Sequence, residues 1–241
     1  SGEDSTSVLV GLSLSNGYTT INGGGGIRIE NSDPRLKNLK VFSNFANIGG
    51  GGISCEACDS RITNVTINNN SSSWKGGGIR IFNGSNPELI NVAINSNSAT
   101  KQGGGISIEG LPGNSIELDF DRLIVQENNS ATVGGGIYLY ISKLNLSRAF
   151  LIKNSASTKG GGISIEWDSD LTIENSFILG NTLSTGDQGS NIYIGKSDQI
   201  IGSTEKLQAI NINIIDTVSS NISMYSNGLI KPLLINSINV G

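Results

Sequence analysis

The sequence predicts an all-β chain wound as one right-handed parallel β-helix, a solenoid of about eight coils. Three observations carry that expectation. Gly-Gly-Gly-Ile recurs with its isoleucine at Ile27, Ile53, Ile79, Ile106, Ile137 and Ile163, at intervals of 26, 26, 27, 31 and 26 residues. An asparagine stands nine residues before each copy from Ile53 onward, at Asn44, Asn70, Asn97, Asn128 and Asn154, and Asn181 carries the series into an altered seventh copy at Ser190-Asn191-Ile192. The 241 residues include 33 glycines and 5% aromatics, and no 3.6-residue apolar period is sustained, which reads as short strands and tight turns. A unit this small cannot bury its own apolar face and must stack on its neighbours. The hand follows the usual hand of parallel crossovers.

In chain order, Val8 to Gly17 alternates apolar and polar residues and ends in Asn-Gly, an opening strand and turn. Each later unit begins with a glycine-led strand whose isoleucine and the residue two further on face one core, as in Ile27/Ile29, Ile53/Cys55 and Ile79/Ile81. Three more apolar columns follow when the units are superimposed. Leu36, Ile62, Leu89, Phe120, Leu146 and Ile173 form one, Leu39, Val65, Val92, Leu123 and Ala149 the next, and Val41, Ile67, Ile94, Val125, Leu151 and Ile178 the third. The asparagine column belongs at a turn, its amides stacked one per coil. The glycine triplets lead into strands rather than into Gly-Lys-Ser/Thr and a helix, so they serve sharp corners and close stacking, not phosphate. Residues 1–195 are the repeats. Residues 196–241 break the period and are expected to be irregular terminal coils or a cap of the same domain, with strands around Leu207–Ile214 and Leu233–Ile238.

These residues carry a resemblance. The pairing of Val/Ile/Leu-x-x-Asn with Gly-Gly-Gly-Ile resembles the repeats of polymorphic outer-membrane-type surface proteins, with valine, isoleucine or leucine where that family has phenylalanine. The run from Pro87 to Ala99, Pro-Glu-Leu-Ile-Asn-Val-Ala-Ile-Asn-Ser-Asn-Ser-Ala, is similar to the right-handed parallel β-helix regions of large bacterial secreted proteins. The resemblance covers roughly residues 8 to 195. It implies export, an extracellular or cell-surface location in a bacterium, and a role in adhesion or in displaying a binding face. The chain reads as a piece of a longer protein.

Composition limits the chemistry. A net charge of −4, no basic stripe and no histidine argue against nucleic acid and against an anionic membrane as partners, and no apolar run is long enough for a transmembrane helix. Without histidine, Ser-His-Asp and Cys-His machinery are excluded. Cys55 and Cys58 are the only thiols. A local disulfide and two unpaired small side chains are both open readings, while a zinc site, which wants about four ligands, is not expected, nor is any other metal or cofactor.

The candidate site lies on the outward positions of the glycine-led strands. One column is Arg28, Ser54, Arg80, Ser107, Tyr138, Ser164 and Tyr193; the other is Glu30, Glu56, Phe82, Glu109, Tyr140 and Glu166, with Trp167 beside it. Arg28, Glu30, Glu56, Arg80, Phe82, Glu109, Tyr138, Tyr140, Glu166, Trp167 and Tyr193 are the expected binding residues. Their aromatics are expected to be exposed, with Arg28 and Arg80 flanking Glu56 in a salt-bridged face, and the partner to be a surface protein of a host or neighbouring cell or an extracellular polysaccharide. A flat face of regular threonines, as ice binding wants, is absent. The chain itself is expected not to be an enzyme. The alternative is a polysaccharide lyase or glycoside hydrolase drawing on Glu30, Glu56, Glu109 and Glu166, since neighbouring carboxylates suit glycoside hydrolysis. The insertion Leu111-Pro112-Gly113-Asn114, in the 31-residue unit, is the one place where a loop can help to build a pocket.

Overall fold

Most corners of the coil turn on a residue in the left-handed backbone region. One set of corners falls at Asn38, Asn64, Asn91, Arg122, Arg148 and Asn175, another at Ser43, Asn69, Ser96, Glu127 and Lys153, and a third just before the glycine-led strands at Gly76, Gly103, Gly134 and Gly160. Asparagine and glycine enter this region at little cost, which accounts for much of the Asn and Gly content. The computed structural model describes residues 3–186, 188–195 and 206–215, together with the strands Ile222–Tyr225, Leu233–Ile235 and Ile238–Val240.

Between the corners lie strands that pair only in parallel, each with its counterpart one coil away. They form three sheets. A 16-stranded sheet is bent along the Asn64 line into two arms, typified by Arg61–Thr63 and Thr66–Asn68; a 7-stranded sheet of very short strands includes Ser71–Ser72; and an 8-stranded sheet holds the glycine-led strands. We number the coils by the isoleucine of the glycine-led strand, from coil 1 (Ile27–Glu30) and coil 2 (Ile53–Glu56) to coil 7 (Ile192–Gly195). Among the described residues there is no helix, so none crosses a membrane.

The expected columns are ladders in the structure. Leu89 pairs in register with Ile62 and Phe120, and Ile94 with Ile67 and Val125; all six are buried in one continuous core. The opening segment differs from the single strand expected. It breaks at Gly11, φ 73°, into Val8–Val10 and Ser13–Ser15, because it is already a full coil with the same corner as Asn38 above it. Strands Lys206–Ile210 and Asn213–Ile215 extend both arms of the bent sheet. The expected cap falls largely outside the described residues.

The asparagines form a buried ladder that satisfies itself. Asn97 donates its backbone N–H and its Nδ2 to Oδ1 of Asn128 at 2.9 and 3.0 Å, and accepts the same pair from Asn70 at 2.9 and 3.0 Å. Its second Nδ2 proton goes to the Ile67 carbonyl at 3.0 Å. Asn44, Asn70, Asn128 and Asn154 repeat the pattern. The glycines are small because this ladder and the narrow sheet press on them. A Cβ on Gly77 would lie 2.4 Å from the carbonyl oxygens of Gly104 and Ser98, and one on Gly78 would lie 3.1 Å from Nδ2 of Asn97.

Cys55 and Cys58 are joined by a disulfide, which settles the alternative left open above, and both are buried at the corner after coil 2. Cys55 stacks in register between Ile29 and Ile81 as part of the core.

Candidate functional site

On the glycine-led sheet the isoleucines point inward, so the two expected outward columns stand side by side at the ~4.8 Å coil spacing. The strand registers confirm both columns coil by coil. The first column also has a second periodicity, which the other shares from coil 2 to coil 6. Coils 2, 4 and 6 carry Ser-x-Glu (Ser54/Glu56, Ser107/Glu109, Ser164/Glu166), whereas coils 1, 3, 5 and 7 carry Arg28, Arg80, Tyr138 and Tyr193. The long side chains of coils 1, 3 and 5 each reach the glutamate of the next coil. Arg28 meets Glu56 at 3.7 Å and Glu30 at 2.9 Å; Arg80 meets Glu109 at 2.8 Å; Tyr138 hydrogen-bonds Glu166.

This arrangement corrects three expectations. Arg80 binds Glu109 and not Glu56, because the arginines reach in one direction along the helix. Tyr138 and Tyr193 are not exposed: they are 3% and 2% accessible. Tyr138 lies over Ser164 and Glu166, with Lys75 Nζ 5.8 Å from its ring centre. Tyr193 lies flat over Gly195 of its own strand, where a Cβ would come 2.1 Å from its hydroxyl, and Lys159 covers it at 4.6 Å. Glu30 and Glu56 are held by a shared arginine rather than forming an open carboxyl pair. Phe82, Tyr140 and Trp167 remain half-buried at the surface.

The lysines were missed by the column reading. Lys75 occupies the position just before a glycine triplet, whose successors Gln102, Val133, Lys159 and Gln188 form a further parallel ladder from Gln102 onward. Its side chain crosses the sheet to Glu109 at 2.8 Å. The signal available was that polar or long residues recur before the glycines.

The three clamps differ in charge. Burial pushes the Glu109 carboxyl up, but the Arg80 hydrogen bond and charge, with Lys75, outweigh it and hold Glu109 below the usual carboxylate range. Ser107 completes its shell at 3.0 Å. At coil 6 a phenol takes the place of the arginine. There burial dominates and raises the Glu166 carboxyl, against the opposing Lys159 charge, the Ser164 and Tyr138 hydrogen bonds and the Lys75 charge. Burial, then the Glu166 and Glu109 charges, push the Tyr138 hydroxyl well above its ordinary value. Glu166 thus stands apart as a weakly compensated carboxyl beside aromatic rings.

Those rings shape the surface. Tyr140 and Trp167 lie 5.5 Å apart, tilted by 46°. Trp167 is held at φ 55°, a conformation a bulky residue adopts only when its surroundings enforce it. Ile141 takes the same corner one coil earlier, at φ 46°, and its N–H donates to the Trp167 carbonyl at 2.9 Å. A hollow of about 250 Å³ opens between Phe82 and Tyr140, with Arg80 and Glu109 in its floor and Asn83 and Leu111 at its wall. Leu111 comes from the expected insertion, closed as a small hairpin by reciprocal Leu111–Asn114 bonds. A second hollow, about 350 Å³, adjoins it through Arg80 and Phe82 and reaches the exposed Trp74 and Ile48. A hollow of about 460 Å³ on the bent sheet has three of its four acids in contacts, with Asp121 held by Arg148, Arg122 and Ser147, Asp119 by Asn145 and Glu88 by Arg61. Among the described residues no group of three His, Cys, Asp or Glu is placed to hold a metal ion.

Strands stacked only in parallel, coil upon coil, in three sheets define a β-solenoid. Residues 6–178 match the family model described as a right-handed β-helix region, and the chain belongs to that family. Neither a curated protein nor a solved structure matches it.

Proposed function

We propose that this chain is a secreted or cell-surface β-helix module that binds an extracellular polysaccharide, in an adhesive role, through the outer face of its glycine-led sheet. One observation carries the reading: Phe82 and Tyr140 stand on strands fixed by parallel pairing, beside the Arg80–Glu109 ion pair, with a hollow of about 250 Å³ between them, a second of about 350 Å³ beyond Phe82, and Trp167 against Tyr140. Aromatic faces bordered by polar groups suit the C–H faces and hydroxyls of a sugar ring. The Arg80–Glu109 ion pair separates Phe82 from the Tyr140–Trp167 pair, so the rings do not form one dry apolar patch, which favours a glycan over the centre of a protein interface. The buried Cys55–Cys58 disulfide supports an oxidising compartment outside the cytosol, in line with the resemblance to surface-protein repeats. The site is built for binding, since Arg80, Lys75 and Ser107 occupy Glu109 and the remaining glutamates are spread singly over the coils.

The test is a glycan array probed with the wild type and with a Tyr140→Ser/Trp167→Ser double variant. The wild type is expected to retain a defined set of polysaccharides and the variant to lose them with its melting temperature unchanged; equal retention by both refutes the reading.

A second reading rests on the opposite displacement of two carboxyls in one column. Glu109 stays ionised and Glu166 is pushed toward the protonated form, the pattern of an acid and a base in glycoside chemistry. Release of reducing or unsaturated ends from polysaccharides, abolished in Glu166→Gln, would establish it.

A further inference from the structure

From coil 2 to coil 6 the second outward column alternates glutamate with an aromatic ring (Glu56, Phe82, Glu109, Tyr140 and Glu166), and a ligand that reads this stretch must share its two-coil period. Phe82 stands in register with Glu109, and Glu109 with Tyr140, so the two rings sit in one column two coils apart. That separation is ~10 Å along the helix axis. The hollow between them is bounded by a ring at each end, and the second hollow continues past Phe82 along the face. An extended β-1,4-linked polysaccharide turns the same face of every second ring to one side, and its disaccharide is about two coils long.

We infer that one extended polysaccharide chain lies along this face parallel to the helix axis, its disaccharide repeat in register with two coils, with alternate sugar rings on Phe82 and Tyr140. The inference rests on the glycan-binding reading above and adds the direction and length of the ligand. Between the platforms, Glu109 already accepts four hydrogen bonds, two from Arg80 and one each from Lys75 and Ser107. A carboxylate offers about four acceptor sites, so Glu109 is saturated and acts as an anchor. The group left in the hollow to contact the intervening sugar is a donor, Arg80, which has N–H bonds beyond the two it gives to Glu109. Arg80 also lies 4.3 Å from the Phe82 ring centre, which fixes one face of that ring and leaves the other to the ligand. Trp167, at its enforced corner beside Tyr140, extends the second platform toward coil 6.

Engaging two platforms with one chain makes the second contact intramolecular, and affinity then rises steeply once the ligand spans both. The measurement is calorimetric titration with cello- and chito-oligosaccharides of two to six residues. For at least one series, affinity is expected to rise on the order of 10- to 100-fold between the disaccharide and the tetrasaccharide and then to level off. Phe82→Ser should bring the hexasaccharide down to the disaccharide affinity, while Phe177→Ser, on a different sheet, should leave the length dependence intact. Binding of disaccharide and hexasaccharide with equal affinity overturns the axial, two-coil register while leaving the glycan reading standing. A length dependence that survives Phe82→Ser also overturns it, and no binding of either series at millimolar concentration overturns both.

Discussion

Replacing Asn97 with alanine removes four side-chain hydrogen bonds from the middle of the asparagine ladder. The Asn70 N–H and one Nδ2 proton lose the Oδ1 that accepts them, and the Ile67 carbonyl and Asn128 Oδ1 each lose a donor. Asn97 and Asn70 are each 1% accessible, so water cannot replace these partners without opening the coil. A buried group stripped of its partner costs about 1–3 kcal/mol. With the Asn70 N–H and the Ile67 carbonyl both affected, the expected loss is about 4 kcal/mol. Asn64 supplies the comparison, because it is stacked on Asn38 and Asn91 in the exposed row at a left-handed corner. There alanine should cost only the left-handed backbone penalty, ~1–2 kcal/mol. Asn97→Asp is the sharper probe, since it keeps the accepting oxygen but faces a second acceptor toward Ile67 and Asn128. Burial and those acceptors raise the new carboxyl's pKa above its unfolded value, so its stability should be lost as pH rises through the folded pKa and recover on acidification. Urea unfolding at pH 4 and pH 7 reads all three variants. A midpoint for Asn97→Ala as close to wild type as that of Asn64→Ala would refute the ladder's role.

The two displaced glutamates predict opposite effects at neutral pH. Glu109 is depressed, so its contribution is present above the unfolded carboxylate pKa and lost as pH falls through the folded one; Glu109→Gln should destabilise by about 3 kcal/mol at pH 7 by leaving Arg80 and Lys75 without their anion. Glu166 is raised, so its wild-type contribution is present below the unfolded pKa and lost as pH rises through the folded one; Glu166→Gln should therefore melt above wild type at pH 8 and lose that advantage at pH 4. The Cys55–Cys58 disulfide closes a loop of only three residues' separation; its reduction should lower stability by ~2 kcal/mol, and thiol labelling of the native oxidised protein should find no free cysteine.

The core was legible because its constraint is periodic. A column such as Ile67, Ile94 and Val125 has one environment repeated, and repetition at a fixed interval is what a sequence displays directly. The asparagine ladder was legible for the same reason. What lies above a column was not. Tyr138 and Tyr193 occupy outward strand positions, yet they are buried, because Lys75 and Lys159 cross the face from a different part of the coil and the serines leave room beneath. The alternation of Ser-x-Glu with Arg or Tyr was present in the sequence and is the signal that identifies these clamps. The corners were half legible. Asn31 and Asn83 announce a left-handed residue, but Ile141 and Trp167, at the equivalent corner, do so only through alignment with them.

On the proposed reading, a polysaccharide is bound on the glycine-led face. Backbone and tryptophan indole resonances, followed by NMR as a retained glycan from the array is added, test it most directly. Shifts are expected to concentrate on Phe82, Glu109, Tyr140 and Trp167, running along the axis from coil 3 to coil 6. Shifts centred on the Phe150–Phe177 stack of the bent sheet, with that face unchanged, would contradict it.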